Sequence, residues 1–98
     1  VKRGNASNKS IDNDLKRLVA VKNEKPNVRC FLVVVSEVSR PKRFVSEKGV
    51  SLPSNTSIEG TAGTYKVRRV FKASSSFKAI ESANYACLIE VFTENLNR

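Results

Sequence analysis

At 98 residues the chain is long enough for one domain and too short for two, since domains typically run to roughly 100 to 150 residues. Hydrophobic residues make up 40%, with no Trp, no Met, 5 Phe and 2 Tyr, so the core has to be mainly aliphatic; the 18 Lys and Arg against 9 Asp and Glu leave a net charge of +9. No His is present, which excludes Ser-His-Asp and Cys-His triads, imidazole metal sites and the commonest general base, and no run approaches the roughly 20 apolar residues of a membrane span.

The opening Val1-Lys2-Arg3-Gly4-Asn5 lacks the apolar stretch of a signal peptide. A soluble, cytoplasmic single domain over 1–98 is expected, with no membrane partner. An excess of positive charge this large attracts polyanions, nucleic acid above all. The charge is uneven: +5 over residues 1–30, +1 over 31–64 and +3 over 65–98.

After a polar stretch, Ser10 is placed as a helix N-cap, with Asp12 and Asp14 in the first turn and Lys16, Arg17 and Lys22 toward the end, an order that suits the helix dipole. Ile11, Leu15, Leu18 and Val19 recur at helical spacing and make one apolar stripe. The segment 23–27, containing Pro26, ends the helix. Val28 to Ser36 is a β-branched run expected of a central strand covered on both faces. From Ser46 to Thr64 the composition turns to Ser, Gly, Thr, Pro and Asn, which predicts an irregular excursion, with the Gly60–Thr64 segment as a turn. Tyr65 to Lys72 is read as a strand in preference to a short helix, Phe77 to Ser82 as a brief helix, Tyr85 to Phe92 as a second buried strand neighbouring the first, and Glu94 to Arg98 as a polar tail. The fold class is therefore α/β: one small domain with a mixed central sheet and a packed amphipathic helix.

Cys30 and Cys87 lie in apolar runs and read as small buried hydrophobes, with a disulfide between them left open and a metal role set aside for want of CxxC or His partners. Ser75-Ser76-Phe77-Lys78 fits the S-x-x-K pattern of serine acyl enzymes, but Ser39-Arg40-Pro41-Lys42 fits it too and the companion motifs are missing, so the match is treated as chance. The basic constellation carries more. Arg40, Lys42 and Arg43 follow the central strand, and Lys66, Arg68, Arg69 and Lys72 surround the third. Arg40, Lys42, Arg43, Arg68, Arg69 and Lys72 are taken as the phosphate-contacting residues. The interleaved Phe44, Tyr65 and Phe71 would stack on bases if exposed.

Val1-Lys2-Arg3-Gly4, the helix containing Asp14-Leu15-Lys16-Arg17-Leu18, and then Pro26-Asn27-Val28-Arg29-Cys30-Phe31-Leu32-Val33-Val34-Val35 together resemble the PD-(D/E)XK restriction-endonuclease-like family. There a strand bearing Glu-x-Lys is followed by a helix and a buried strand beside the first. The resemblance covers about Val1 to Ser36. It implies that Val1 and Lys2 are the last two positions of Glu-x-Lys, that Lys2 is the catalytic lysine, and that the metal-binding glutamate and aspartate precede Val1. It also implies a partial restriction-endonuclease-like core, with magnesium as cofactor only where the full nuclease site is present and no metal ligand within these residues. The expectation is the C-terminal portion or degenerate remnant of such a nuclease, binding nucleic acid through basic loops and inactive alone, with either a homodimer or a missing N-terminal segment completing it. The alternative is a stand-alone basic α+β interaction protein of the kind mobile elements encode, whose partner is RNA or an acidic protein.

Overall fold

In the computed structural model the residues described are 2–3, 8–37, 40–52, 55–72, 80 and 83–93. Strand β1 (Lys2–Arg3) leads through helix α1 (Asn8–Glu24) to strand β2 (Cys30–Ser36), and the chain continues through β3 (Thr56–Ser57), β4 (Gly63–Lys72) and β5 (Tyr85–Thr93). These strands form one sheet in the order β1-β2-β5-β4-β3. β1 pairs with β2 in parallel, Lys2 facing Val34, and every other pairing is antiparallel. The expected mixed sheet with a packed helix is what forms, and β2 and β5 are adjacent interior strands.

Helix α1 begins at Asn8, two residues before the expected cap, so Asp12 and Asp14 stand outside the first turn, which holds no acidic residue. Its apolar stripe behaves as the spacing requires: Ile11, Leu15 and Val19 are buried and Leu18 packs beside them. At the far end Lys22 Nζ donates to the carbonyls of Pro26 and Val28 at 2.9 and 2.8 Å, which ties the turn into β2 to the last helical turn. The helix lies on the face formed by Cys30, Leu32 and Val34 of β2, Cys87, Ile89 and Val91 of β5, and Tyr65 and Val67 of β4, all buried. Fully burying one aliphatic side chain of this size contributes about 1.5 to 3 kcal/mol, so this one face supplies most of the cohesion. Gly63 shows how closely the layers approach, because a Cβ there would lie 2.6 Å from Val19 Cγ2 and 3.1 Å from the Phe92 carbonyl oxygen.

The expected irregular excursion is shorter than composition suggested. Thr56 and Ser57 pair with Tyr65 and Thr64 to make a hairpin, and β4 already begins at Gly63. Its turn is held by Thr61, whose Oγ1 donates to the Ile58 carbonyl at 2.9 Å and accepts from the Gly63 N–H at 3.0 Å, while Gly60 takes a positive φ of 80°. Residues 40–52 fold back under α1, placing Phe44 and Val45 in the core. Ser75, Lys78, most of the Phe77–Ser82 segment and the Glu94–Arg98 tail lie outside the described residues.

One expectation about cover is corrected. Continuous apolar strands led to an expectation of two buried faces, but α1 and the 40–52 segment cover one face only. On the other, Phe31 and Phe71 are exposed and Val33, Val35, Ala86 and Leu88 are half-buried. The bridge between Cys30 and Cys87 is likewise ruled out by register. Cys87 faces Val34, four residues along β2 from Cys30, roughly 13 Å at strand rise and well beyond disulfide reach. Both are buried thiols, and burial pushes the Cys87 pKa up to about 11.

Candidate nucleic-acid interface

The three central strands put three rows of side chains on the face opposite α1. Directly opposed residues in an antiparallel sheet share a face, so the register gives Phe31, Glu90 and Lys66 in the first row, Val33, Leu88 and Arg69 in the second, and Val35, Ala86 and Phe71 in the third. Strict alternation along β4 would have turned Arg69 toward the core. Instead the ladder shifts between Val67 and Arg69, a β-bulge at Arg68, so Val67 and Val70 both serve the core while Arg68 and Arg69 both stay out of it.

Glu90 is the one carboxylate of these rows, and it is only 3% exposed. Arg29 grips it with two hydrogen bonds, Nε to Oε2 at 2.9 Å and Nη2 to Oε1 at 2.7 Å, and Arg68 Nε stands 3.4 Å from Oε1. The Arg29 hydrogen bonds hold the Glu90 carboxyl below the ordinary glutamate range against the opposing effect of burial, with the charges of Arg29, Arg68 and Lys22 adding to the shift. Arg29 also lies over the Phe31 ring, 5.0 Å from its centroid. A guanidinium has five N–H donors, and Arg29 gives two of them to Glu90, leaving three for an external acceptor. Lys66 and Arg69 beside this clamp make no ion pair among the described residues. At the third row, Val35, Ala86 and Phe71 border an open recess of about 290 Å³ with Lys72 on its rim.

The six residues expected to contact phosphate therefore divide. Arg68, Arg69 and Lys72 belong to β4, the first two beside the open rows and the third at the recess. Arg40, Lys42 and Arg43 belong to the segment under α1. There Arg40 Nη1 donates to the Val45 carbonyl at 2.6 Å, and Lys42 is exposed beside a shallow depression shared with Lys48 and Glu47. Arg43 is pinned between Asp12 of α1 and the Tyr65 hydroxyl, with its guanidinium over the rings of Phe44 and Tyr65. That geometry makes Arg43 a brace between helix, loop and sheet.

The stacking expectation is corrected for two of its three aromatics. Phe44 and Tyr65 are 1% and 4% exposed and meet edge to face in the core, whereas Phe71 is 56% exposed. Sequence reasoning missed Arg29, Phe31 and Glu90. A signal existed in Tyr85-Ala86-Cys87-Leu88-Ile89-Glu90-Val91-Phe92, since a carboxylate inside an apolar strand demands a cationic partner.

Lys2 occupies β1, paired to the strand that α1 leads into. Magnesium, implied by the nuclease resemblance, needs grouped oxygen ligands, and among the described residues no three acidic or thiol groups gather as a ligand set. The described residues therefore do not fit the ion. Among the described residues no helix is long and apolar enough to cross a membrane. Compared with protein-family models, curated proteins and solved structures, the chain gave no match.

Proposed function

We propose that this chain is the C-terminal part of a restriction-endonuclease-like nuclease unit, and that its own contribution is to bind nucleic acid without cleaving it. The observation that carries the binding reading is the open sheet face, where Arg29 and Arg68 already satisfy the Glu90 carboxylate and Lys66 and Arg69, opposite Glu90 and Leu88 in register, make no ion pair among the described residues. Cations left over after internal pairing attract phosphate, and guanidinium groups meet phosphate with a matched fork of donors. The nuclease part of the reading is supported by the β1–α1–β2 unit, in which a strand carrying Lys2 passes through a helix to a parallel neighbour.

The test is a salt titration of binding to duplex and single-stranded oligonucleotides, comparing wild type with the double variant Lys66→Ala/Arg69→Ala. Each phosphate contact releases counterions, giving a log–log slope of about 0.9 per contact on duplex and about 0.7 on single strands. The double variant should weaken binding to all sequences alike and flatten the slope by about one to two units. Absence of binding to either oligonucleotide at low salt would reject the reading and leave an acidic protein partner as the better account of the +9 charge.

A further inference from the structure

We infer, resting on the nucleic-acid reading above, that the open face of the sheet docks a single-stranded segment by stacking its unpaired bases on Phe71 at one end and on the Arg29–Phe31 pair at the other. Phe31 and Phe71 are 37% and 56% exposed on a face that otherwise carries half-buried Val33, Val35, Leu88 and Ala86. A platform of aromatic rings and guanidinium planes on an apolar sheet, edged with cations, suits bases that are free to splay. Phe31 lies on β2 opposite Glu90 and Phe71 on β4 opposite Ala86, two strands across and four residues along. At strand spacing and rise that is roughly 17 Å, a span suited to the two or three bases that an aromatic-bearing sheet stacks.

The rest of the face fits the same occupant. Lys72 on the rim of the recess beside Phe71 is placed for the phosphate of a base stacked there, and Lys66 and Arg69 flank the path between the two platforms. The Glu90 clamp keeps the Arg29 guanidinium laid over Phe31, so one stacking position is organised before any ligand arrives. A duplex would reach these cations with its phosphates and leave the rings unused. A second copy of the chain would bring Lys66, Arg68 and Arg69 against a surface of the same sign.

The experiment measures affinity by fluorescence anisotropy for a mixed-sequence single-stranded 10-mer and for a duplex of the same sequence. Phe71→Ala should weaken single-strand binding about 5- to 150-fold, the range for loss of one stacked base, with the salt slope unchanged. Duplex binding should stay within about two-fold, and Phe71→Tyr should restore single-strand affinity to within about three-fold. A denaturation curve of Phe71→Ala coinciding with wild type shows that the loss is one of contact. Unchanged single-strand affinity in Phe71→Ala, while Lys66→Ala/Arg69→Ala still weakens binding, overturns this inference and leaves the proposed function standing. Equal loss on duplex and single strand overturns it as well. A poly-glutamate peptide that competes as well as the oligonucleotide and is equally sensitive to Phe71→Ala overturns it in favour of an acidic peptide.

Discussion

The two faces of the sheet are built from the same three strands and do opposite work. On the α1 side every contributing position of β2, and every one from Tyr85 to Val91 of β5, is buried, and the packing is close enough that Gly63 has no room for a methyl group. On the other side apolar residues of similar size remain half-buried and are interleaved with Arg29, Lys66, Arg68 and Arg69. Apolar composition alone therefore does not decide which side of a strand becomes core. What decides it is which side the amphipathic helix can reach, and the leftover side becomes a surface with both apolar and charged character.

The sharpest way to test this contrast is to make one substitution on each face. Phe44→Ala, in the covered core, should cost about 3 to 5 kcal/mol, whereas Phe71→Ala on the open face should stay within about 0.5 kcal/mol. Urea denaturation of both variants checks this, and equal losses would mean that the second face is packed as well. A smaller effect is expected from Gly63→Ala. Its new methyl would stand 2.6 Å from Val19 Cγ2, close enough that helix or strand must shift, and 3.1 Å from the Phe92 carbonyl oxygen, so about 1 to 3 kcal/mol should be lost. A neutral result would show that α1 sits further from β4 than the distances indicate.

A further, modest effect concerns the clamp. Glu90→Gln should cost on the order of 1 kcal/mol at neutral pH, because the carboxylate is buried while its arginine partners remain largely in solvent, where screening weakens the pair. The sign of its pH dependence follows from the direction of the shift. Glu90 titrates lower in the folded protein than in the unfolded chain, so its contribution is present above the unfolded value and disappears as pH falls through the folded one. Stability measured against pH should therefore fall less steeply on the acid side in Glu90→Gln than in wild type. Parallel acid limbs would show that Arg29 does not hold the carboxylate in solution.

The elements with strong periodicity were readable from sequence. Ile11, Leu15, Leu18 and Val19 identify α1 and its buried side, and the apolar runs around Val33 and Cys87 identify two neighbouring interior strands. Where the reading fell short, the cause was tertiary. The pairing that closes the β3–β4 hairpin joins Thr56 and Ser57 to residues nine and seven positions away, and nothing in the polar 46–64 stretch announces it. Whether Phe44, Tyr65 or Phe71 is exposed depends on strand register and on residues 40–52 folding under α1, neither of which local pattern encodes. The basic residues were recognisable as a class, but their division into braces such as Arg43 and available cations such as Arg69 follows from where Asp12 and Glu90 happen to lie.

The bulge at Arg68 has a further meaning for how such a chain can vary. Removing that one residue would bring Val67, Arg69 and Val70 into plain alternation against Ile89, Leu88 and Cys87, with every inward side chain still inward. Changes of chain length are ordinarily confined to loops, because a slip of one inside a strand turns its whole pattern over. Position 68 is a supernumerary letter in the middle of β4, a place where relatives can differ by a residue, and by a positive charge, while the core they share stays in register.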